Sequence, residues 1–388
     1  MSRFIAAMVV AILVHSAHAQ VKVTPYRAVD SIALQIPDSM TRSTAGIARY
    51  IGRHFKTDDD KVRALFIWEA TAFSYDVAAM YTFRGKETQE DKLAKILSSR
   101  KGVCDHYAAV FTEVCNKMGL RAHTITGYTR QHGETSTLAH AWCAVYSNHT
   151  WKLYDPTWAS GYINKGTFTP RINNDFYDVA PETFVTSHMP YDPMWQMLNH
   201  TYSGAEFTRG ERDETKSSKY FSYTDSIAAY ERQTEEQQLI ASARRIEANG
   251  VDNELTFNKL THIKNDLDYR KNLEVFKKST DNVNLYNEAV ADYNAGVKYF
   301  NTFIEYRNKD VQPALVSKQA KAMIDSAGNR ITAAQRKLKS VTPSGNITEE
   351  FIASFSKNVN GLAGRLNEQR EFLAGRGDKG ASKHEQVN

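Results

Sequence analysis

Residues 101–111 read KGVCDHYAAVF in this chain of 388 residues. Gly102 interrupts the preceding structure, and apolar residues then recur at helical spacing from Cys104 to Met118, with Gly119 as a terminator. The pattern predicts a helix that begins at the cysteine. The positive end of the helix dipole favours a thiolate there, and the adjacent backbone N–H group is suited to holding an oxyanion.

An imidazole and a carboxylate follow further along the chain. His140 lies in AHAWCAV at 139–145, and Asp155 lies in LYDPTW at 153–158. Aromatic and β-branched residues predict two strands joined by a short turn, and such a hairpin would bring the two side chains together. In thiol acyl-transfer chemistry the thiolate attacks a carbonyl, the imidazole moves the proton, and the carboxylate orients the imidazole. Cys104, His140 and Asp155 are therefore the candidate catalytic residues.

Each of these residues also has a plainer interpretation when it is taken alone. Cys104 could be a buried structural thiol, and His140 could be a hydrogen-bonded residue of the core. Asp155 before Pro156 is a common turn residue. The occurrence of all three, in this order and at these predicted positions, favours a Cys-His-Asp triad.

The motifs resemble those of the transglutaminase-like superfamily, which has a papain-like core. The resemblance runs from Lys61 to Trp158 and continues into a segment similar to kyphoscoliosis-peptidase-like bacterial members. The stretches that carry it are KVRALFIW at 61–68, SYD at 74–76, GVCDHYA at 102–108, HAW at 140–142, YDPTW at 154–158, FY at 176–177, PETF at 181–184, HMP at 188–190 and WQML at 195–198.

The resemblance implies an α+β fold in which a helix carrying the cysteine packs on an antiparallel sheet. It also implies that Cys104 is the nucleophile, that His140 is first base and then acid, and that Asp155 orients it. The family completes its oxyanion hole with an upstream side chain, for which Gln89 is the candidate. Gln89 could equally be a polar residue at a helix start.

The sequence departs from the family pattern at two positions. Cys143 follows HAW where the family commonly has Asn, and His106 stands where small residues are common. Neither change removes a member of the candidate triad. The calcium sites of animal transglutaminases have no visible counterpart, and the acidic run at 58–60 is typical of a helix start. No cofactor or metal is therefore expected.

The chain has three cysteines. Cys104 and Cys115 are eleven residues apart on the predicted helix, or roughly 16 Å along its axis. A disulfide needs Cα atoms within about 7 Å, so these two cannot pair. A bond between Cys115 and Cys143 and a pair of buried free thiols remain alternatives.

The N-terminus has the features of a signal peptide. Arg3 precedes an apolar run at 4–14, and the small-x-small sequence at 17–19 predicts cleavage before Gln20. The run is too short to span a bilayer, and no later stretch is long enough. Residues 1–19 are thus predicted to be a signal peptide, and the mature protein to be periplasmic or extracellular without an integral membrane segment.

Composition and periodicity divide the mature chain. The net charge of +5 is mild and no Lys/Arg block occurs, so nucleic acid is not an expected partner. We predict a catalytic domain at 20–206, a helical bundle or coiled coil at 207–376 and a flexible tail at 377–388, with a polar loop at 129–138. A heptad seam supports the bundle. Its residues are Val283, Tyr286, Val290, Tyr293, Val297, Phe300 and Ile304.

The leading functional hypothesis is an exported cysteine-dependent acyl-transfer enzyme that acts as a protease or amidase on a protein or peptide substrate. With an amine as acceptor the same thioester chemistry would cross-link proteins instead. A non-catalytic binding or scaffold protein is the alternative from another class, since fold does not imply function. In either class the C-terminal helical region could contact a protein partner.

Overall fold

The computed structural model describes residues 26–82, 87–212, 220–308 and 313–381, with the backbone alone at 313–317 and 375–381. The predicted signal peptide and residues 382–388 of the predicted tail lie outside the described residues. Contacts divide the chain into a first unit that ends at Lys264 and a second that begins at Asn265.

The first unit combines helices with a four-stranded main sheet and two small two-stranded sheets. Its helices are α1 (Arg27–Ala33), α2 (Thr44–His54), α3 (Asp58–Ala72), α4 (Gln89–Ser99), α5 (Cys104–Lys117), α6 (Pro156–Ser160), α7 (Pro181–Phe184), α8 (Gly204–Arg209), α9 (Tyr223–Tyr230) and α10 (Glu235–Asn249). Short 3-10 helices span Asn174–Phe176 and Pro193–Gln196. The long helix α11 begins at Glu254 and ends at Asn308.

The strands are β1 (Ser74–Tyr75), β2 (Lys101–Gly102), β3 (Arg121–Gln131), β4 (Glu134–Ser147), β5 (Thr150–Tyr154), β6 (Gly161–Asn164), β7 (Thr167–Pro170) and β8 (His188–Pro190). The main sheet has the order β5-β4-β3-β8, and all its neighbouring strands are antiparallel. Helix α5 packs on β3 and β4. The predicted α+β arrangement, with the cysteine helix on an antiparallel sheet, is confirmed.

The polar loop predicted over 129–138 is wrong. Strand β3 continues to Gln131 and β4 begins at Glu134, so a two-residue turn joins them. Both turn residues, His132 and Gly133, have positive φ (53° and 87°), which matches the twist of a tight hairpin. The sequence pattern did not predict these strand ends, because they carry polar side chains and so show no alternation of apolar and polar residues.

The first unit extends beyond the predicted domain boundary. Ile227 of α9 is buried in one apolar cluster with Trp151 and Trp195, so this helix packs on the sheet region. The contacts accordingly group residues up to Lys264 with the first unit. The boundaries 20–206 and 207–376 remain a prediction from composition.

The second unit consists of the later part of α11 together with α12 (Pro313–Leu338) and α13 (Glu349–Ala381). Their apolar faces form one core that includes Phe303, Ile324 and Leu362. The helical bundle is therefore confirmed. Among the residues described, no helix combines the length and the apolar character needed to cross a membrane.

Phe300 of the predicted seam lies in the most buried stripe of α11, and the other seam residues flank that stripe. Ala289 and Phe303 are fully buried, whereas Tyr286 and Tyr293 are half-buried and Val283 is exposed. The stripe also contains Asp292, whose carboxylate accepts hydrogen bonds from Arg330 and Lys337. This helix packs against two others, so its contact face is wider than the seam of a two-stranded coiled coil.

Candidate active site

Cys104 is the first residue of α5 and is 9% exposed. The preceding residue, Val103, is extended, and its backbone N–H donates to Nδ1 of His106 at 3.2 Å. Gly102 permits this entry, because a Cβ there would lie 2.9 Å from both the Cβ of His106 and the Cδ1 of Ile96. The predicted helix start is confirmed, and it places the thiol at the positive end of the helix.

His140 lies on β4 and links the other two candidate residues. Its Nε2 is 2.8 Å from Oδ2 of Asp155, and its ring lies close enough to the Cys104 thiol for that group to raise the pKa of the imidazole. With Nε2 on the carboxylate, Nδ1 is the ring nitrogen left for the thiol. The structure therefore brings Cys104, His140 and Asp155 together in the order that thiol acyl transfer requires.

Asp155 is completely buried at the start of α6. Its Oδ1 accepts the backbone N–H groups of Thr157 at 2.9 Å and Trp158 at 3.1 Å, while Oδ2 faces His140. Pro156 occupies the first turn, where its missing N–H costs no hydrogen bond. Asp155 is thus a helix cap and a partner of the imidazole at once, so the plainer turn interpretation describes only half of its contacts.

His140 and Asp155 stabilise each other's charged forms. Burial alone would lower the pKa of His140, but the charge and hydrogen bond of Asp155 and the contact with Cys104 raise it to about 10. Burial alone would raise the pKa of Asp155, but His140 and a second histidine hold it well below its usual range. The site is therefore arranged to keep an ionised carboxylate beside an imidazolium.

A family model described as the transglutaminase-like superfamily matches residues 45–156. Kyphoscoliosis peptidase of Homo sapiens is 34% identical over 159 residues, which are 39% of this chain and 24% of that protein. Hillarin of Drosophila melanogaster is 22% identical over 198 residues, again 24% of its length. These matches support a member of the transglutaminase-like superfamily, with the family model placed on residues 45–156.

The chain spans about a quarter, 24%, of the length of the curated relatives that it matches. Among solved structures, the periplasmic domain of TgpA from Pseudomonas aeruginosa is 24% identical, covers 34% of this chain and 48% of that chain, and gives a TM-score of 0.24. A structure described as a TGase is 20% identical over 44% of this chain and 40% of its own, with a TM-score of 0.25.

The first unit contains a further residue beside Asp155 that the sequence did not identify as a candidate site residue. His188 on β8 is fully buried, and its Nε2 lies 3.1 Å from Oδ2 of Asp155. Burial is the main reason that the pKa of this imidazole falls to about 4. The motif HMP at 188–190 belonged to the family resemblance, but nothing in it indicated contact with a carboxylate 33 residues earlier.

His140, Asp155 and His188 are residue types that commonly bind metal ions. One donor atom each of His140, Asp155 and His188 lies within 4.8 Å of the others. Two imidazoles and a carboxylate are common ligands of transition metals. The hydrogen bonds already use these atoms, so an ion could bind here only by replacing them.

Gln89 is the first residue of α4 and is exposed. Helix α4 does approach the cysteine helix, since Nζ of Lys92 lies 2.6 Å from Asp105. Among the described residues, no hydrogen bond joins Gln89 to Cys104 or His140. Its role in an oxyanion hole therefore stays a prediction.

The other two thiols of the core are free and completely buried. Burial raises the pKa of both Cys115 and Cys143 well above the usual value. Of the two alternatives that the sequence left open, the structure thus has the free thiols. They differ from Cys104, which contacts an imidazole at a helix start.

Proposed function

We propose that this protein is a cysteine-dependent acyl-transfer enzyme in which Cys104 is the nucleophile, His140 the base and acid, and Asp155 the residue that orients His140. The observation that carries the proposal is the hydrogen bond from His140 to the buried carboxylate of Asp155, with the Cys104 thiol close enough to His140 to raise its pKa. The ionised carboxylate of the buried Asp155 favours the protonated form of His140, and an imidazolium stabilises a neighbouring thiolate.

The reaction would proceed through a thioester. His140 takes the thiol proton, the Cys104 sulfur bonds to the substrate carbonyl carbon, and the imidazolium then gives its proton to the leaving amine as the C–N bond breaks. In the second half His140 takes a proton from water, the resulting hydroxide displaces the sulfur as a thiolate, and the imidazolium returns the proton to that thiolate. The products are a carboxylic acid, an amine and the original thiol.

The developing oxyanion would lie at the start of α5. Cys104 and Asp105 are the first two residues of this helix, so their N–H groups have no acceptor within it. Donors of this kind are directed at the charge that forms in the transition state. Gln89 remains our candidate for a second, side-chain donor, because Lys92 on the same helix reaches Asp105.

Two interpretations of the acceptor follow from the same site. We favour water, hence a peptidase or amidase, because the similar proteins of Homo sapiens and Mus musculus are named kyphoscoliosis peptidase. An amine acceptor would make the protein a cross-linking enzyme. A non-catalytic scaffold gains support from one observation, namely that Cys104 is only 9% exposed and a substrate would need to reach it.

The setting of the enzyme is part of the proposal. Residues 1–19 would direct export, and the mature chain would act on a protein or peptide in the periplasm or outside the cell. The helical bundle of the second unit would provide a surface for a protein partner. These points follow from the sequence alone.

The test uses the mature chain from Gln20 and its Cys104→Ala variant, with Cys115→Ala as the matched control. Each protein is incubated with casein and a fluorescent primary amine. Release of new N-termini that needs Cys104 indicates hydrolysis, and fluorescence coupled to casein indicates cross-linking. If Cys104→Ala matches the control in both assays, the scaffold interpretation replaces the enzyme.

A further inference from the structure

Two imidazoles share one carboxylate oxygen in the core of this protein. Oδ2 of Asp155 lies 2.8 Å from Nε2 of His140 and 3.1 Å from Nε2 of His188. Oδ1 of the same carboxylate accepts the backbone N–H groups of Thr157 and Trp158. Asp155 therefore receives four hydrogen bonds, which fix both its position and its rotation about the Cβ–Cγ bond.

The protonation of His188 follows from its neighbours. An ionised carboxylate only accepts hydrogen bonds, so Nε2 of His188 must carry the proton that it shares with Asp155. Its Nδ1 lies 2.8 Å from Oγ of Ser187, which is also within hydrogen-bond distance of the Phe184 carbonyl oxygen. The ring also packs against two aromatic side chains, since it stacks on Phe184 with centroids 4.1 Å apart and its centroid lies 4.5 Å from that of Trp158.

His188 reaches Asp155 from a different part of the fold than His140 does. It lies on β8, which pairs with β3 and not with the strand that carries His140. A ring fixed by Ser187, Phe184 and Trp158 is a rigid support for Oδ2, the carboxylate oxygen that faces His140. Removal of the ring would leave Oδ2 with a single side-chain donor.

We propose that His188 is a positioning residue of the active site: its neutral imidazole donates to Asp155, holds the carboxylate for His140, and so aligns His140 with Cys104. This inference rests on the proposed function. His188 is fully buried and can touch neither substrate nor solvent, so its contribution belongs to the chemical step. Substitutions should therefore change kcat and leave KM as it is.

The experiment compares three substitutions of His188 in the full mature chain. His188→Phe keeps a ring for Phe184 and Trp158 and removes both nitrogens. His188→Gln restores an N–H donor at the position of Nε2, while the amide of His188→Asn is one methylene too short to reach Asp155. The measurements are kcat and KM on casein-derived peptides, melting temperature, and the low-field proton resonance of the hydrogen bond between His140 and Asp155.

We expect His188→Phe and His188→Asn to lower kcat by about 10- to 100-fold with KM unchanged, as supporting partners of ligand or catalytic side chains typically do. The low-field resonance should move in both and return towards its original position in His188→Gln, which should recover most of kcat. Equal kcat values and an unmoved resonance in folded Phe and Asn variants would overturn the proposal.

Two further outcomes distinguish a folding defect, or failure of the proposed function, from failure of the His188 proposal. If His188→Phe fails to fold, the Gln and Asn pair decides, because equal activity of these two would mean that the donor to Asp155 has no role. If Cys104→Ala retains turnover, the proposed function fails by itself. The resonance then still reports whether His188 controls the bond between His140 and Asp155.

Discussion

Gly127 on β3 lies directly opposite His140 on β4 in the antiparallel ladder. On its other side Gly127 pairs with Pro190 of β8. A Cβ at this position would collide with the carbonyl oxygen of Met189 and would lie 2.6 Å from Cη2 of Trp142. The absence of a side chain therefore lets β8, which carries His188, approach the strand that faces His140.

This relationship predicts the effect of adding one methyl group. Gly127→Ala should destabilise the protein by about 1–3 kcal/mol through overpacking, and should lower turnover per folded molecule because β8 must shift. Gly52→Ala is the control, since that glycine is exposed in α2 with no atom within 4 Å of an added Cβ. The control should raise stability by roughly 0.5–1 kcal/mol. Urea unfolding and turnover of both variants measure the difference.

Cys104 should be the most reactive of the three thiols. Cys115 and Cys143 are completely buried, and burial raises the pKa of each, whereas Cys104 lies at a helix start beside His140. Alkylation with iodoacetamide at about pH 6 should therefore label Cys104 first. Peptide mapping by mass spectrometry identifies the labelled residue. Earlier labelling of either buried thiol in the folded protein would rule out Cys104 as the nucleophile.

Asp155→Asn separates the two contacts of this side chain. The Asn Oδ1 can still accept the N–H groups of Thr157 and Trp158, so α6 keeps its cap and the melting temperature should change little. The new amide N–H₂ group would face the N–H of both histidines, so turnover should fall by about 10⁴-fold. A variant that melts and turns over like the original protein would eliminate the proposed triad.

A double variant that combines Asp155→Asn with His140→Ala tests whether the two residues act together. His140→Ala should reduce turnover at least as far as Asp155→Asn, because it removes the group that moves the proton. The double variant should be little worse than His140→Ala, since the residues act as one unit. Additive losses would instead mean that Asp155 acts independently of His140.

Glu69 should give the protein a distinctive loss of stability towards high pH. The side chain is completely buried on α3, its two oxygens have no hydrogen-bond partner among the described residues, and burial raises its pKa well above 4.5. Above pH 4.5 the unfolded chain ionises this carboxyl while the folded chain keeps the proton. The unfolded state then binds fewer protons, so stability falls as pH rises.

Glu69→Gln tests this sign because an amide does not titrate. Relative to the variant, the original protein should lose free energy of unfolding above pH 4.5, at most about 1.4 kcal/mol per pH unit. Glu90→Gln, at an exposed position of α4, should keep the original pH dependence. Urea titrations at several pH values measure both variants. Parallel curves for Glu69→Gln and the original protein would show that the carboxyl ionises within the fold.

The sequence determined the local parts of the site. A glycine followed by a helical apolar pattern placed Cys104 at the start of α5, and two strands around a short turn placed His140 near Asp155. Both inferences depend on periodicity and on contacts close along the chain. The hairpin tip at 132–133 was missed because its polar strands carry no apolar alternation, although the turn itself fits the positive φ of His132 and Gly133.

Only the tertiary structure decided what supports that site. The contact of His188 with Asp155 depends on the pairing of β8 with β3. That pairing requires a residue without a Cβ at position 127, because β8 passes too close for a side chain there. The most buried stripe of α11 likewise depends on two other helices and not on its own seam. Periodicity predicts that one face of a helix or strand will be buried. Which segment packs on that face depends on contacts between residues that are distant in sequence, and a local sequence pattern carries no information about them.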